Sequence, residues 1–130
     1  MGTPTEIVQA AYAAFGRRDI PAILELLTDD VEWVYQAGSS LPYGGRFSGK
    51  QEVQRWFGVL AQTEDIQDFK PREFLAGADH VTAIGTLRAK ALPDGDMFES
   101  GWVQVFNFRG DKVSRWIGTS DTAASVAARQ

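Results

Sequence analysis

The chain has 130 residues, 44% of them hydrophobic and 23% charged, the size and composition of one globular domain with one core. Its 13 basic and 17 acidic side chains leave a net charge of −4 and form no basic stripe, which excludes phosphate-backbone binding as the main task. Cysteine is absent, so disulfides, thiolate metal sites and thiol nucleophiles are excluded.

The first residues, Met1 to Glu6, lack the basic stretch and apolar run of a signal peptide. No apolar segment approaches the roughly 20 residues that span a bilayer. A cytoplasmic protein with no nucleic-acid or membrane partner is expected. Four Trp, three Tyr and eight Phe make the chain 12% aromatic. Trp is seldom buried completely, and amphipathic rings favour ligand walls and interfaces, so the aromatic content points to more than core filling.

Ile7, Val8, Ala11, Tyr12 and Phe15 recur at helical spacing, with Thr3 or Thr5 as the cap and Gly16 near the end. Asp19 caps a second, short helix with Pro21 in its first turn and Ile23, Leu24, Leu26 and Leu27 on its apolar face. Val31 to Tyr35 is a first strand, followed by a long Gly/Ser-rich loop from Gln36 to Ser48, a length that is usually functional or mobile. Ser48 opens a third helix with Val53, Trp56, Phe57 and Leu60 on one face. Four strands follow: Ile66 to Phe74, Val81 to Ala91, Phe98 to Phe108 and Val113 to Thr119. Turns at Gly77, at Pro93–Asp96 and at Gly110–Asp111 separate them. Ala123 to Ala127 closes the chain as a short helix. Helices first and a strand meander after them predict an α+β domain spanning residues 1–130. Its curved antiparallel sheet carries the N-terminal helices on the concave face. Gly85, Gly101 and Gly118 lie inside strands, where glycine marks bends.

Several stretches resemble nuclear-transport-factor-2-like domains. They are Arg18–Ile23, Thr28–Trp33, Phe47–Lys50 before a helix, and Gly110–Val113 between the last two strands. The nearest branch is the SnoaL-like, ketosteroid-isomerase-related proteins. The resemblance covers nearly the whole chain and implies a cone-shaped α+β barrel, commonly dimeric through the outer sheet face. That superfamily holds isomerases, cyclases, epoxide hydrolases, dehydratases and non-enzymatic binders, so the fold leaves the reaction open.

Carried over residue by residue, the steroid isomerase base falls on Trp33, and the oxyanion tyrosine falls near Ala11, beside Tyr12. The protonated aspartate falls on Gln104 or Val103. Both carboxylates are missing, and dienolate chemistry needs them, so steroid isomerisation is not expected. Arg88–Ala89–Lys90 has the arginine of the epoxide hydrolase pattern without its acid. The acid–base aspartate of SnoaL-like cyclases falls on Asp121, which also stands where the C-terminal helix needs a cap. Asp121 is thus either the proton shuttle or a helix cap, or both.

Strand alternation places Trp33 and Tyr35 on one face of the first strand, and Trp102, Gln104 and Phe106 together on one face of the strand Phe98 to Phe108, with Trp116 on the last strand. Tyr12, Phe15, Trp56, Phe57, Leu60 and Phe74 complete the expected pocket wall. Gln104 either orients a ligand carbonyl or hydroxyl, or faces a dimer interface. Arg88 either binds an acidic ligand group or pairs with Glu99. His80 follows a turn with no second imidazole near it, so no metal site is expected. The expected function is binding of a small hydrophobic, oxygenated molecule of polyketide-like or aromatic kind, with acid–base chemistry that needs no cofactor. Asp121 would move the proton, and Gln104 or Tyr12 would donate a hydrogen bond. The alternatives are a non-catalytic binder or dimeric scaffold and, third, an adaptor whose partner sits on the outer sheet face.

Overall fold

Thr3 begins the first helix with a reciprocal cap: its hydroxyl accepts from the Glu6 N–H at 3.2 Å while the Glu6 carboxylate accepts from the Thr3 N–H at 2.9 Å. The computed structural model describes residues 2–37 and 41–129. Helix α1 spans Pro4–Gly16 and α2 spans Ile20–Glu25, the latter capped by the Asp19 carboxylate on the Ala22 N–H at 3.2 Å. Between them Arg18 takes a left-handed backbone, φ 59°. Strand β1 covers Leu27–Tyr35, β2 Gly45–Ser48 and α3 Gly49–Thr63. Strands β3 (Glu64–Ala76), β4 (His80–Ala91), β5 (Met97–Arg109) and β6 (Lys112–Ser120) follow, and α4 (Thr122–Ala127) ends the fold.

Two elements differ from the sequence expectation. The loop expected from Gln36 to Ser48 holds a strand, because Gly45–Ser48 pairs antiparallel with β1, Phe47 opposite Trp33. Residues 38–40 of that loop lie outside the described residues. Leu41 and Tyr43 turn back into the core, 3% and 1% exposed. The first strand also starts earlier, at Leu27, so the apolar run of α2 continues directly into β1.

The six strands form one sheet in the order β2-β1-β6-β5-β4-β3. It is antiparallel except for β1 and β6, which run parallel with Trp33 opposite Trp116. The α+β class, the curved sheet and the N-terminal helices are those expected, while the sheet stays open between its edges β2 and β3. Register shifts interrupt β3 between Ile66 and Asp68 and between Pro71 and Glu73, and β6 at Ser114, between the partners of Asn107 and Phe108. Such bulges bend long strands and raise their twist. Gly85 and Gly118 serve a different end: a Cβ at either would collide with the indole of Trp102 or Trp116. Absent side chains there let two large rings lie flat on the inner face of the sheet.

Candidate functional site

Between α1, α2, α3 and the inner face of the sheet lies a cavity of about 80 Å³ whose wall is almost wholly aromatic and aliphatic. Trp33 and Tyr35 reach it from β1, Trp56, Phe57 and Leu60 from α3, Trp102, Gln104 and Phe106 from β5, and Trp116 from β6. Tyr12 and Phe15 close it from α1. All of these were expected in the wall. Trp33 stacks on Trp116 with ring centroids 4.2 Å apart, and Trp102 stacks on Phe69 at 4.6 Å. The rings fill most of the cone. What is left is smaller than the roughly 150 Å³ that accepts a benzene molecule, so it has room for a ligand's head group.

A groove of about 530 Å³ lies between α3, the α1–α2 corner and the start of β3. Phe15, Phe57, Leu60, Glu64 and Ile66 line both cavity and groove and stand where the two meet. Arg18 borders this groove, with a guanidinium N–H on the Ile66 carbonyl at 2.9 Å and its charge 5.2 Å from the Phe15 ring centre.

The polar content of the cavity is small and specific. The Tyr12 hydroxyl donates to Gln104 Oε1 at 2.8 Å, and the Trp116 indole N–H points at the same oxygen from 3.4 Å. An indole nitrogen can only donate, so this contact orients the amide with its oxygen toward Trp116. The Gln104 NH₂ group then has no partner among the described residues. Burial pushes the Tyr12 phenol well above its ordinary value, so it stays protonated and remains a donor. Trp33 Nε1 and Trp102 Nε1 are buried without a hydrogen-bond partner among the described residues.

Glu64, the first residue of β3, is the carboxylate that sequence reasoning missed. It is 6% exposed and lines the cavity. Its Oε2 accepts from the Tyr43 hydroxyl and from the Ser125 hydroxyl, the latter at 2.7 Å. Burial and the neighbouring Glu64 charge both push the Tyr43 phenol up, and burial pushes Tyr35 up to about 12. Tyr35 in turn hydrogen-bonds Ser120. No sequence pattern marks Glu64, because its partners stand on the loop before β2 and on α4.

Three expected wall residues lie elsewhere. Asp121 follows the last residue of β6, where the chain leaves the sheet. Its side chain is exposed and caps α4 by accepting from the Ala124 N–H at 3.1 Å. With Arg88 it borders a polar groove of about 470 Å³ that also includes Lys70, Arg72 and Glu99 and shares only Leu87 with the cavity. Arg88 faces outward because alternation on β4 turns its neighbours Leu87 and Ala89 inward; Glu99 stands directly opposite it on β5. Phe74 packs behind Tyr12, ring centroids 6.2 Å apart, and does not reach the cavity. His80 sits beside Asp79 at 3.5 Å with a half-exposed ring. Among the described residues no cluster of three His, Cys, Asp or Glu side chains could hold a metal ion.

A six-stranded curved sheet with helices over one face and an aromatic cavity between them defines the nuclear-transport-factor-2-like class of α+β proteins. The SnoaL-like domain profile matches residues 8–116, and the chain belongs to that family. No curated protein matches it. Among solved structures, a nuclear-transport-factor-2-like protein of unknown function from Burkholderia pseudomallei K96243 is similar at 27% identity. The match has a TM-score of 0.90 and covers 100% of this chain and 99% of that one. TerC, crystallised with polyporic acid, is similar at 27% identity and TM-score 0.85, covering 97% and 98%. A protein from Xanthomonas campestris pv. campestris, provisionally named a polyketide cyclase, shares the fold at 22% identity and TM-score 0.79, covering 98% and 96%.

Proposed function

We propose that this chain is a cofactor-independent acid–base enzyme of the isomerase or cyclase kind, acting on a hydrophobic, oxygen-bearing molecule such as a polyketide-like or aromatic metabolite. The observation that carries this reading is the Tyr12–Gln104 pair set in an otherwise apolar wall. A ligand carbonyl placed there receives a hydrogen bond from the Gln104 NH₂ group, a neutral donor whose amide is held by the Tyr12 hydroxyl in a dry site. Such a donor stabilises the negative charge that grows on the oxygen when a proton leaves the adjacent carbon. The family membership and the polyketide cyclase name of one fold neighbour agree with this chemistry. Steroid isomerisation is not part of the proposal: the positions that resemble the isomerase carboxylates carry Trp33 and either Gln104 or Val103.

The ligand binds head-first, its carbonyl in the cavity and its bulk in the groove at the mouth, because the cavity of about 80 Å³ takes only a head group. The protein works in the cytoplasm as a homodimer joined through the outer sheet face. A second reading is a non-catalytic binder or dimeric scaffold, favoured by the displacement of Asp121 to a capping position outside the cavity.

The test compares 2-acetylnaphthalene with 2-ethylnaphthalene by quenching of tryptophan fluorescence. The ketone should bind about tenfold more tightly, the value of one added hydrogen bond in a dry site, and Gln104→Leu should remove that preference. Equal affinity of the wild-type protein for ketone and hydrocarbon would sink the reading.

A further inference from the structure

We propose that Glu64 is the general base of this cavity, removing a proton from the carbon beside a carbonyl held at Tyr12 and Gln104; the inference rests on the acid–base reading above. Glu64 is the only carboxylate lining the cavity among the described residues, and it also lines the groove. A ligand seated head-first passes it. A buried carboxylate has to be satisfied on both oxygens or be kept open for a reason. Both hydrogen bonds found on Glu64, from Tyr43 and Ser125, fall on Oε2. Oε1 has no partner among the described residues.

The carboxylate is held as a reactive group must be, from several elements at once. Tyr43 is fixed by the Trp56 indole N–H on its carbonyl at 2.7 Å and by the edge of Tyr35 at 5.0 Å. Ser125 receives a hydrogen bond from Arg129 at 2.7 Å, and Arg129 also ties the Thr63 carbonyl. The cation therefore stands one hydroxyl away from Glu64, and α4 serves as a positioning element for it. In the reaction the C–H bond breaks, its proton passes to Oε1, and its electron pair moves into the carbonyl as an enolate. Return of the same proton to another carbon gives an isomer. Attack of the enolate carbon on a second carbonyl of the ligand closes a ring, and the proton on Oε1 passes to the alkoxide formed there. Neither outcome needs an oxidant or reductant.

The test uses 5-nitrobenzisoxazole, whose ring opens when a base takes the proton on C3: that C–H pair becomes part of a nitrile, the N–O bond breaks, and one product carries both the nitrile and a phenolate. The full-length protein should open it with saturation kinetics. Glu64→Gln, which keeps an acceptor for Tyr43 and Ser125, should lower the rate about 10²-fold while 2-acetylnaphthalene still binds within a few-fold of wild type. Tyr43→Phe leaves the carboxylate but removes one of the two donors that hold it in place, so the rate should fall several-fold. A wild-type protein that fails to open the probe, or a folded Glu64→Gln that opens it at the wild-type rate, overturns the proposal. If Glu64→Gln does not fold, an unchanged rate in both Tyr43→Phe and Ser125→Ala overturns it. A Glu64-dependent rate without any ketone preference keeps the base and removes the carbonyl site instead.

Discussion

The Tyr12 hydroxyl donates a hydrogen bond to Gln104 across 92 residues of chain and joins α1 to the middle of β5 inside the cavity. Removing it by Tyr12→Phe leaves Gln104 Oε1 with only the long contact from Trp116. We expect a stability loss of about 1 kcal/mol by urea denaturation, the value of a part-buried neutral hydrogen bond. Ketone ligands should lose part of their advantage over hydrocarbons in the same protein, because the Gln104 amide that donates to them is no longer held by Tyr12.

Asp121 separates a cap from a catalyst. Asp121→Asn keeps an oxygen that accepts from the Ala124 N–H and should leave stability nearly unchanged, whereas Asp121→Ala should cost about 1 kcal/mol, seen as early fraying of α4 in hydrogen exchange. Neither variant should alter 5-nitrobenzisoxazole turnover. A large drop in turnover with Asp121→Asn would return Asp121 to the reaction.

Gly85→Ala places a methyl group against the Trp102 indole and the Lys70 carbonyl. The indole cannot retreat, because Phe69 is stacked on it at 4.6 Å. The expected cost is about 1–3 kcal/mol, with a changed near-ultraviolet circular dichroism signal from the displaced tryptophan.

All three tyrosines of the chain are held protonated, Tyr35 up to about 12 and Tyr12 and Tyr43 beyond the usual phenol range. In the unfolded chain each ionises near 10. The folded protein therefore keeps protons that the unfolded chain releases, and stability is intact below about pH 10 and falls above it. The loss is about 1.4 kcal/mol per pH unit for each tyrosine, continuing for Tyr35 up to its own value near 12. Phenolate absorbance should thus appear together with unfolding, in one cooperative step. Phenolate signal at pH 10.5 from a protein whose tryptophan fluorescence is still native would contradict this.

The sheet shows how far periodicity carries. Trp33 and Tyr35, and Trp102, Gln104 and Phe106, obey simple alternation and line the cavity as the pattern predicts. On β3 alternation fails: Ile66 and Phe69 stand three apart yet both reach the cavity, because the register shift after Ile66 restores Phe69 to the inner face. A second shift after Pro71 sets Phe74 against Tyr12. Bulges depend on the partner strand, and no single-strand pattern records them. Arg88 and Asp121 left the site for related reasons: one is out of phase with the inward residues of β4, the other lies past the end of β6.

The sequence by itself determined the order of elements, the capped helices, the α+β class and most of the aromatic wall, since these follow from local propensity and from alternation within one strand. The tertiary structure alone decided that the rings nearly fill the cone, that β1 and β6 pair in parallel, and which carboxylate meets the cavity. Glu64 stands apart from anything its neighbours in sequence would mark. It is drawn to Tyr43, 21 residues before it, and to Ser125, 61 residues after it, because a carboxylate taken out of water has to find donors wherever the fold can bring them.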